Sequence, residues 1–170
     1  CTGEHKDLPA PFDFPGKERW REGLVALGIG LEDVDYVFCT HLHVDHTGWN
    51  TTLKDGRWVP TFPNAKYIFH KAEYAVWEEE YKQGRDSYDR IFRINCLPIV
   101  EAGQALLVDD DYALDDLVTL TPTPGHSPHH CCVNLHSGGQ TAVVTGDMMH
   151  HPIQCREPTW AAAPDWDPAQ

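Results

Sequence analysis

Six consecutive residues constrain this chain more than any other stretch: His41-Leu42-His43-Val44-Asp45-His46, directly after the apolar run 34–40 and before Thr47-Gly48. Four of the six side chains are metal-ligand types. On extended backbone alternate side chains share a face, so His41 and His43 project together. A turn after Val44 would swing Asp45 and His46 toward a second point nearby, so one short loop could serve two cations. The competing reading is a polar surface loop that happens to be rich in histidine. It leaves unexplained why 11 of 170 residues are histidine and why they bunch again at 126–130 and 150–151.

Composition allows a folded domain around such a loop. Hydrophobic residues make up 41% and charged residues 23%, a globular balance that argues against disorder. A chain of 170 residues reads as a single domain, 1–170, with its own core. Lys and Arg total 13 against 26 Asp and Glu, and the net charge of -13 would repel a phosphate backbone, so no nucleic-acid partner is expected. No apolar run approaches the roughly 20 residues of a membrane helix, so no membrane partner is expected either. The six cysteines (Cys1, Cys39, Cys96, Cys131, Cys132, Cys155) include no Cys-x-x-Cys and read as mostly reduced thiols. Localisation leans to the cytoplasm, although the chain opens on Cys1 and any targeting segment would lie outside it.

Periodicity places the elements. Residues 1–16, interrupted by Pro9, Pro11 and Pro15, read as an irregular connection. From Lys17 onward Trp20, Leu24 and Leu27 fall at helical spacing and Gly28 supplies the stop. The run 34–40 suits a strand buried on both faces. Asp55-Gly56 signals a turn before 57–60, and 65–69 reads as another strand. Residues 71–81 put Tyr74, Trp77 and Tyr81 on one helical face, ended by Gly84. The segment 87–96 repeats that spacing through Tyr88, Ile91 and Phe92, with Asp86 as its N-cap. The runs 105–108, 117–121, 131–136 and 141–145 read as one antiparallel-leaning sheet with a hairpin turn at 137–140. The acidic run 109–111 reads as a solvated turn. Asp167-Pro168-Ala169-Gln170 has the layout of a capping box. With the missing initiator methionine, this reads as a domain cut at both ends.

Two more positions offer ligand types on constrained backbone. His126 lies in the turn Thr123-Pro124-Gly125-His126-Ser127-Pro128, and Asp147 follows Gly146 at a strand's exit. Alone, each is weak. Taken together with the 41–46 loop, in this order and spacing, they resemble the metallo-β-lactamase superfamily. The string Gly146-Asp147-Met148-Met149-His150-His151-Pro152 resembles its lactonase and methyl parathion hydrolase-like branch. The resemblance spans most of residues 1–155. It implies an α/β fold, the αβ/βα sandwich, incomplete here for want of the family's first strands and its last helix and strand. It also implies His41, His43 and His126 around one ion, Asp45 and His46 on a second, and Asp147 bridging. The family completes the second site with a later histidine, and none follows His151.

Histidine and carboxylate donors without thiolate suit zinc first, with manganese or iron open. Two cations about 3.5 to 4 Å apart can share a hydroxide and polarise a carbonyl or phosphoryl oxygen. Hydrolysis of a small-molecule substrate, an ester, lactone or phosphotriester, is therefore the expected reaction. Asp45 would pass the hydroxide proton to the leaving group. His150 would either meet the substrate oxygen as a donor or stand behind the ligands, while His129, His130 and His151 read as supporting or surface groups. Trp49, Trp58 and Phe62 either wall the substrate or belong to the core. The alternatives are a nuclease on the same scaffold, which would need a basic strip not visible here, and a catalytically incomplete metal-binding fragment. Oligomeric state is left open.

Overall fold

The structure is a computed structural model and describes residues 2–8, 10–85 and 91–169. In chain order its elements begin with α1 (Arg19–Ala26), β1 (Tyr36–Phe38), α2 (Val44–Thr47), β2 (Thr51–Lys54), β3 (Arg57–Pro60) and β4 (Lys66–His70). They continue through α3 (Lys71–Lys82), α4 (Ile91–Asn95), α5 (Leu97–Glu101), β5 (Ala105–Val108), β6 (Val118–Pro122), β7 (Cys131–Ser137) and β8 (Gln140–Val144). The mixed α/β architecture expected from the sequence is what forms. Residues 2–8 and 10–16 carry no helix or strand.

A parallel sheet in the order β1-β4-β5 holds the core, with Val37 opposite Tyr67 and Phe69 opposite Leu107. β4 is buried along all but its first residue, whereas β1 is an edge whose Tyr36 is exposed. Burial on both faces, expected of 34–40, is thus met by β4 and not by β1, whose residues are exposed or half-buried. β5 is a second correction. It pairs in parallel with β4 and leaves β6-β7-β8 to form an antiparallel sheet on its own. A four-residue apolar run carries no information on direction, and the helices between β4 and β5 supply the crossover that parallel pairing needs.

The helix expected over 87–96 is present over its described part, and a short helix not expected from the sequence follows it. Described helix begins at Ile91, breaks at Cys96 and restarts as α5 with proline in its first turn. Proline lacks an N–H, which the first turn of a new helix does not need but a continuous helix would. Asp86, Ser87 and Tyr88 lie outside the described residues. Trp20 and Leu24 of α1 pack on the core, but Leu27 is exposed at the helix end, where Gly28 takes φ +73°. Asp55 and Gly56 both have positive φ, the backbone that a two-residue β2-β3 hairpin favours.

The core gathers Phe62, Tyr67, Phe69, Tyr74, Phe92 and Ile99. Trp49 is buried and stacks on Trp20 at 4.9 Å, so Trp49 and Phe62 take the core reading rather than walling a substrate, while Trp58 is half-buried with its ring 4.9 Å from the Lys6 ammonium. Cys39, Cys131, Cys132 and Cys155 are free thiols. In the acidic turn after β5, Asp110 meets His70 Nε2 at 2.8 Å and otherwise faces solvent. Asp167 accepts from the Ala169 amide at 3.0 Å within a turn. No described helix is long and apolar enough to cross a membrane.

One bond fixes where the two sheets meet: the Cys131 N–H at the start of β7 donates to the Thr40 carbonyl beyond β1, at 2.9 Å. The chain leaving β1, the β6-β7 loop and the chain leaving β8 therefore converge at one edge.

Candidate metal centre

Local backbone aims the 41–46 loop. His43 is extended (φ -68°, ψ 160°) and caps α2, so His41 and His43 leave extended chain while Asp45 and His46 leave the following helical turn. The His43 carbonyl accepts from the His46 and Thr47 amides at 3.1 Å, which closes that turn. In the β6-β7 loop, Thr123 N–H donates to the His130 carbonyl at 2.8 Å and pinches off the segment that carries His126. Asp147 sits in a single 3-10 turn, Gly146–Met148, after β8. Gly146 has φ +52°, and a Cβ there would stand 2.6 Å from His130 Nε2 and 2.7 Å from Thr40 Oγ1, so the site closes only around glycine.

His126 Nε2 lies 2.9 Å from His43 Nδ1. Asp147 Oδ2 lies 3.2 Å from His46 Nε2, 3.5 Å from His126 Nε2 and 3.4 Å from His150 Nε2. The His41 ring is centred 4.5 Å from that of His43, 4.1 Å from His46 and 4.8 Å from His126. Three sets of donor atoms lie within 4.8 Å of one another: His41, His43 and His126; His41, His46 and Asp147; His126, Asp147 and His150. Asp45 belongs to none of them. Its Oδ2 is 3.6 Å from His46 Nε2 and its side chain lines the adjoining cavity. The structure thus gathers His41, His43, His46, His126 and Asp147, sets Asp45 at their margin and adds His150.

The donor set fits a divalent cation. His41 Nε2 is buried without a hydrogen-bond partner, while its Nδ1 meets Thr40 Oγ1 at 3.1 Å. An unsatisfied buried nitrogen costs about 1–3 kcal/mol, which a cation ligated by that lone pair would offset. Burial, then the neighbouring imidazoles, pushes His41 far below the usual histidine range, and burial pushes His43 down to about 4. Both rings are neutral at pH 7 and offer lone pairs. The hydrogen bond with His46 holds Asp147 below the usual carboxylate range.

Other side chains orient the donors. Asp165 Oδ1 accepts from His126 Nδ1 at 2.9 Å, a carboxylate that fixes the ring and leaves Nε2 for a cation. Trp166 N–H donates to the His126 carbonyl and Asp167 N–H to that of Gly125, strapping the chain's last residues over this turn. His130, fully buried, accepts from the Asp147 amide through Nε2 at 3.2 Å, so its Nδ1–H donates to Thr123 Oγ1 at 2.7 Å. His129 stacks on His70, and His151 caps the 3-10 turn Pro152–Cys155. Nothing in the sequence singles out Asp165, which lies in an aperiodic stretch far along the chain. The donors open onto a cavity of about 320 Å³, walled on its apolar side by Phe12, Trp77, Ile91, Phe92 and Pro164.

A family model described as the metallo-beta-lactamase superfamily matches residues 3–165. The chain belongs to the metallo-β-lactamase superfamily. N-acyl homoserine lactonase AttM of Azorhizobium caulinodans is 35% identical over 113 residues, covering 62% of this chain and 37% of that superfamily relative. Of solved structures, the hydrolase AbOPH of the beta lactamase superfamily matches with a TM-score of 0.71 and 28% identity, over 86% of this chain and 52% of that one. An N-acyl homoserine lactone hydrolase with N-hexanoyl-L-homoserine bound at its catalytic metal center matches with a TM-score of 0.62 and 25% identity, over 85% and 50%. The chain therefore spans about half the length of these superfamily structures.

Proposed function

We propose that this chain carries the metal-holding loops of a hydrolase that cleaves small esters, lactones or phosphotriesters. The observation that carries the reading is the unpartnered, buried His41 Nε2 inside a ring of imidazoles and one carboxylate, open to an apolar-walled cavity. The lactonase and hydrolase relatives support it. His41, His43 and His126 would hold one divalent ion, zinc by donor preference. His46 and Asp45 would hold another, with Asp147 shared. When bound, such a pair supplies an activated water and polarises the scissile oxygen.

The chain's own groups do the rest. Asp45, at the cavity margin beside His46, accepts the proton of the attacking water and returns it to the leaving group. His150, whose side chain is 31% exposed and lines the same cavity, donates a hydrogen bond to the substrate oxygen. The aromatic wall holds the apolar part of the substrate and excludes bulk water.

The test is metal analysis joined to a substrate panel on the full-length protein. About two equivalents of metal are expected, with turnover in at least one of the three substrate classes. His43→Ala is expected to lower metal content and to cut turnover at least about 100-fold. Metal-loaded wild type inert toward all three classes would overturn the assignment.

A further inference from the structure

We infer that Glu73 is the positioning residue of this centre, a buried carboxylate that ties the loop bearing His41 and His43 to the loop bearing His126. The inference rests on the metal-centre reading. Glu73 lies in the first turn of α3 and is 1% exposed. A charge so enclosed is costly unless hydrogen bonds satisfy it. Its Oε1 accepts from the Leu42 amide at 3.3 Å and from the Trp77 indole at 2.7 Å, and its Oε2 accepts from the His129 amide at 2.8 Å. All three partners are donors, which suits the acceptor-only ionised form.

The placement of those two amides gives the carboxylate its role. Leu42 stands between His41 and His43, so holding its N–H fixes the His41–Leu42 peptide plane, at the root of the His41 side chain and one residue before His43. His129 stands three residues beyond His126, inside the loop closed by the Thr123–His130 bond. The two loops leave different sheets, and α3 braces both. His70, which caps that helix by accepting from the Glu73 amide at 3.4 Å, also stacks on His129 at 5.3 Å. The Trp77 ring lies 5.3 Å from that of His43. Glu73 belongs to none of the ligand groups, so it acts on the cation through the backbone of its ligands.

Glu73→Gln keeps the shape and tests the link. The amide oxygen can still accept from Leu42 and Trp77, but the new NH2 faces the His129 N–H, donor against donor. In the full-length protein, zinc affinity measured against a chromophoric chelator is expected to fall about 10- to 100-fold. The visible bands of the cobalt-loaded protein are expected to shift, and kcat to fall more than KM rises. Wild-type zinc affinity and an unchanged cobalt spectrum in the variant, with only a lower melting temperature, would overturn the inference and leave the metal centre standing. Wild type that binds no zinc would instead overturn the centre, and the role of Glu73 with it. Should the variant not fold, amide exchange in wild type decides. Leu42 and His129 are expected to be protected with and without zinc, and exchange at the rate of an open loop in stripped protein would refute the tie.

Discussion

Lys6 places an ammonium where a protein interior least favours one. It is 5% exposed, donates to the Gly48 carbonyl and to both oxygens of Thr51, and lies against the Trp58 ring. Burial pulls its pKa from 10.5 down to about 7, with the Lys17 charge adding to the fall and Cys96 opposing it. Between those values the unfolded chain binds a proton that the folded chain has released, so stability rises with pH across that window. Below about pH 7 the folded protein carries the full cost of the buried charge. Lys6→Met removes this linkage. The melting temperature of wild type relative to the variant is expected to increase from pH 7 to 10, by an amount on the order of a few kcal/mol in stability. Parallel profiles would show that the lysine keeps its proton throughout. No local pattern marks this residue as buried, because a lysine among Glu4, His5 and Asp7 reads as solvated chain.

At the scale of elements, β4 and β1 are both apolar, yet only one is central. Phe69 of β4 is fully buried and stacks on Tyr74, with ring centres 6.3 Å apart and planes within 8°. Phe69→Ala is expected to cost about 3–5 kcal/mol in urea unfolding, the usual penalty for removing an enclosed aromatic. Tyr36→Ala on the β1 edge is expected to cost less than about 1 kcal/mol, as for exposed sites generally. Equal costs would mean that the two strands share the load and that β4 is not the spine. Positions of most elements could be read from the sequence because apolar periodicity and turn residues are local properties. The hairpins at Asp55-Gly56 and Gly138-Gly139 show this best. Partner and direction could not be read. Ala105–Val108 joins β4 in parallel because of the helices before it, and the five-residue helix Leu97–Glu101 is too short to show a period.

Across the whole molecule the same division holds for the site. His41, His43 and His46 were readable because their spacing is local, whereas His126 and Asp147, weak signals alone, were readable only through the order and spacing that resemble the superfamily. Glu73 and Asp165 act only through contacts made after folding, so no local pattern marks them. Net charge, in contrast, is a global property visible from composition, and it bears on substrate choice. With a formal charge of -13, the molecule repels an approaching anion over a distance that salt shortens, from about 10 Å at 0.1 M to about 3 Å at 1 M. A neutral ester, lactone or phosphotriester feels no such force. For the proposed hydrolase, kcat/KM on a neutral substrate is expected to stay constant within about twofold across that salt range. For a phosphate monoester dianion it is expected to be lower at low salt and to climb as salt is added. An anion processed fastest at low salt would show that a local positive field at the metal centre outweighs the acidic surface, and would move the substrate class from neutral to anionic.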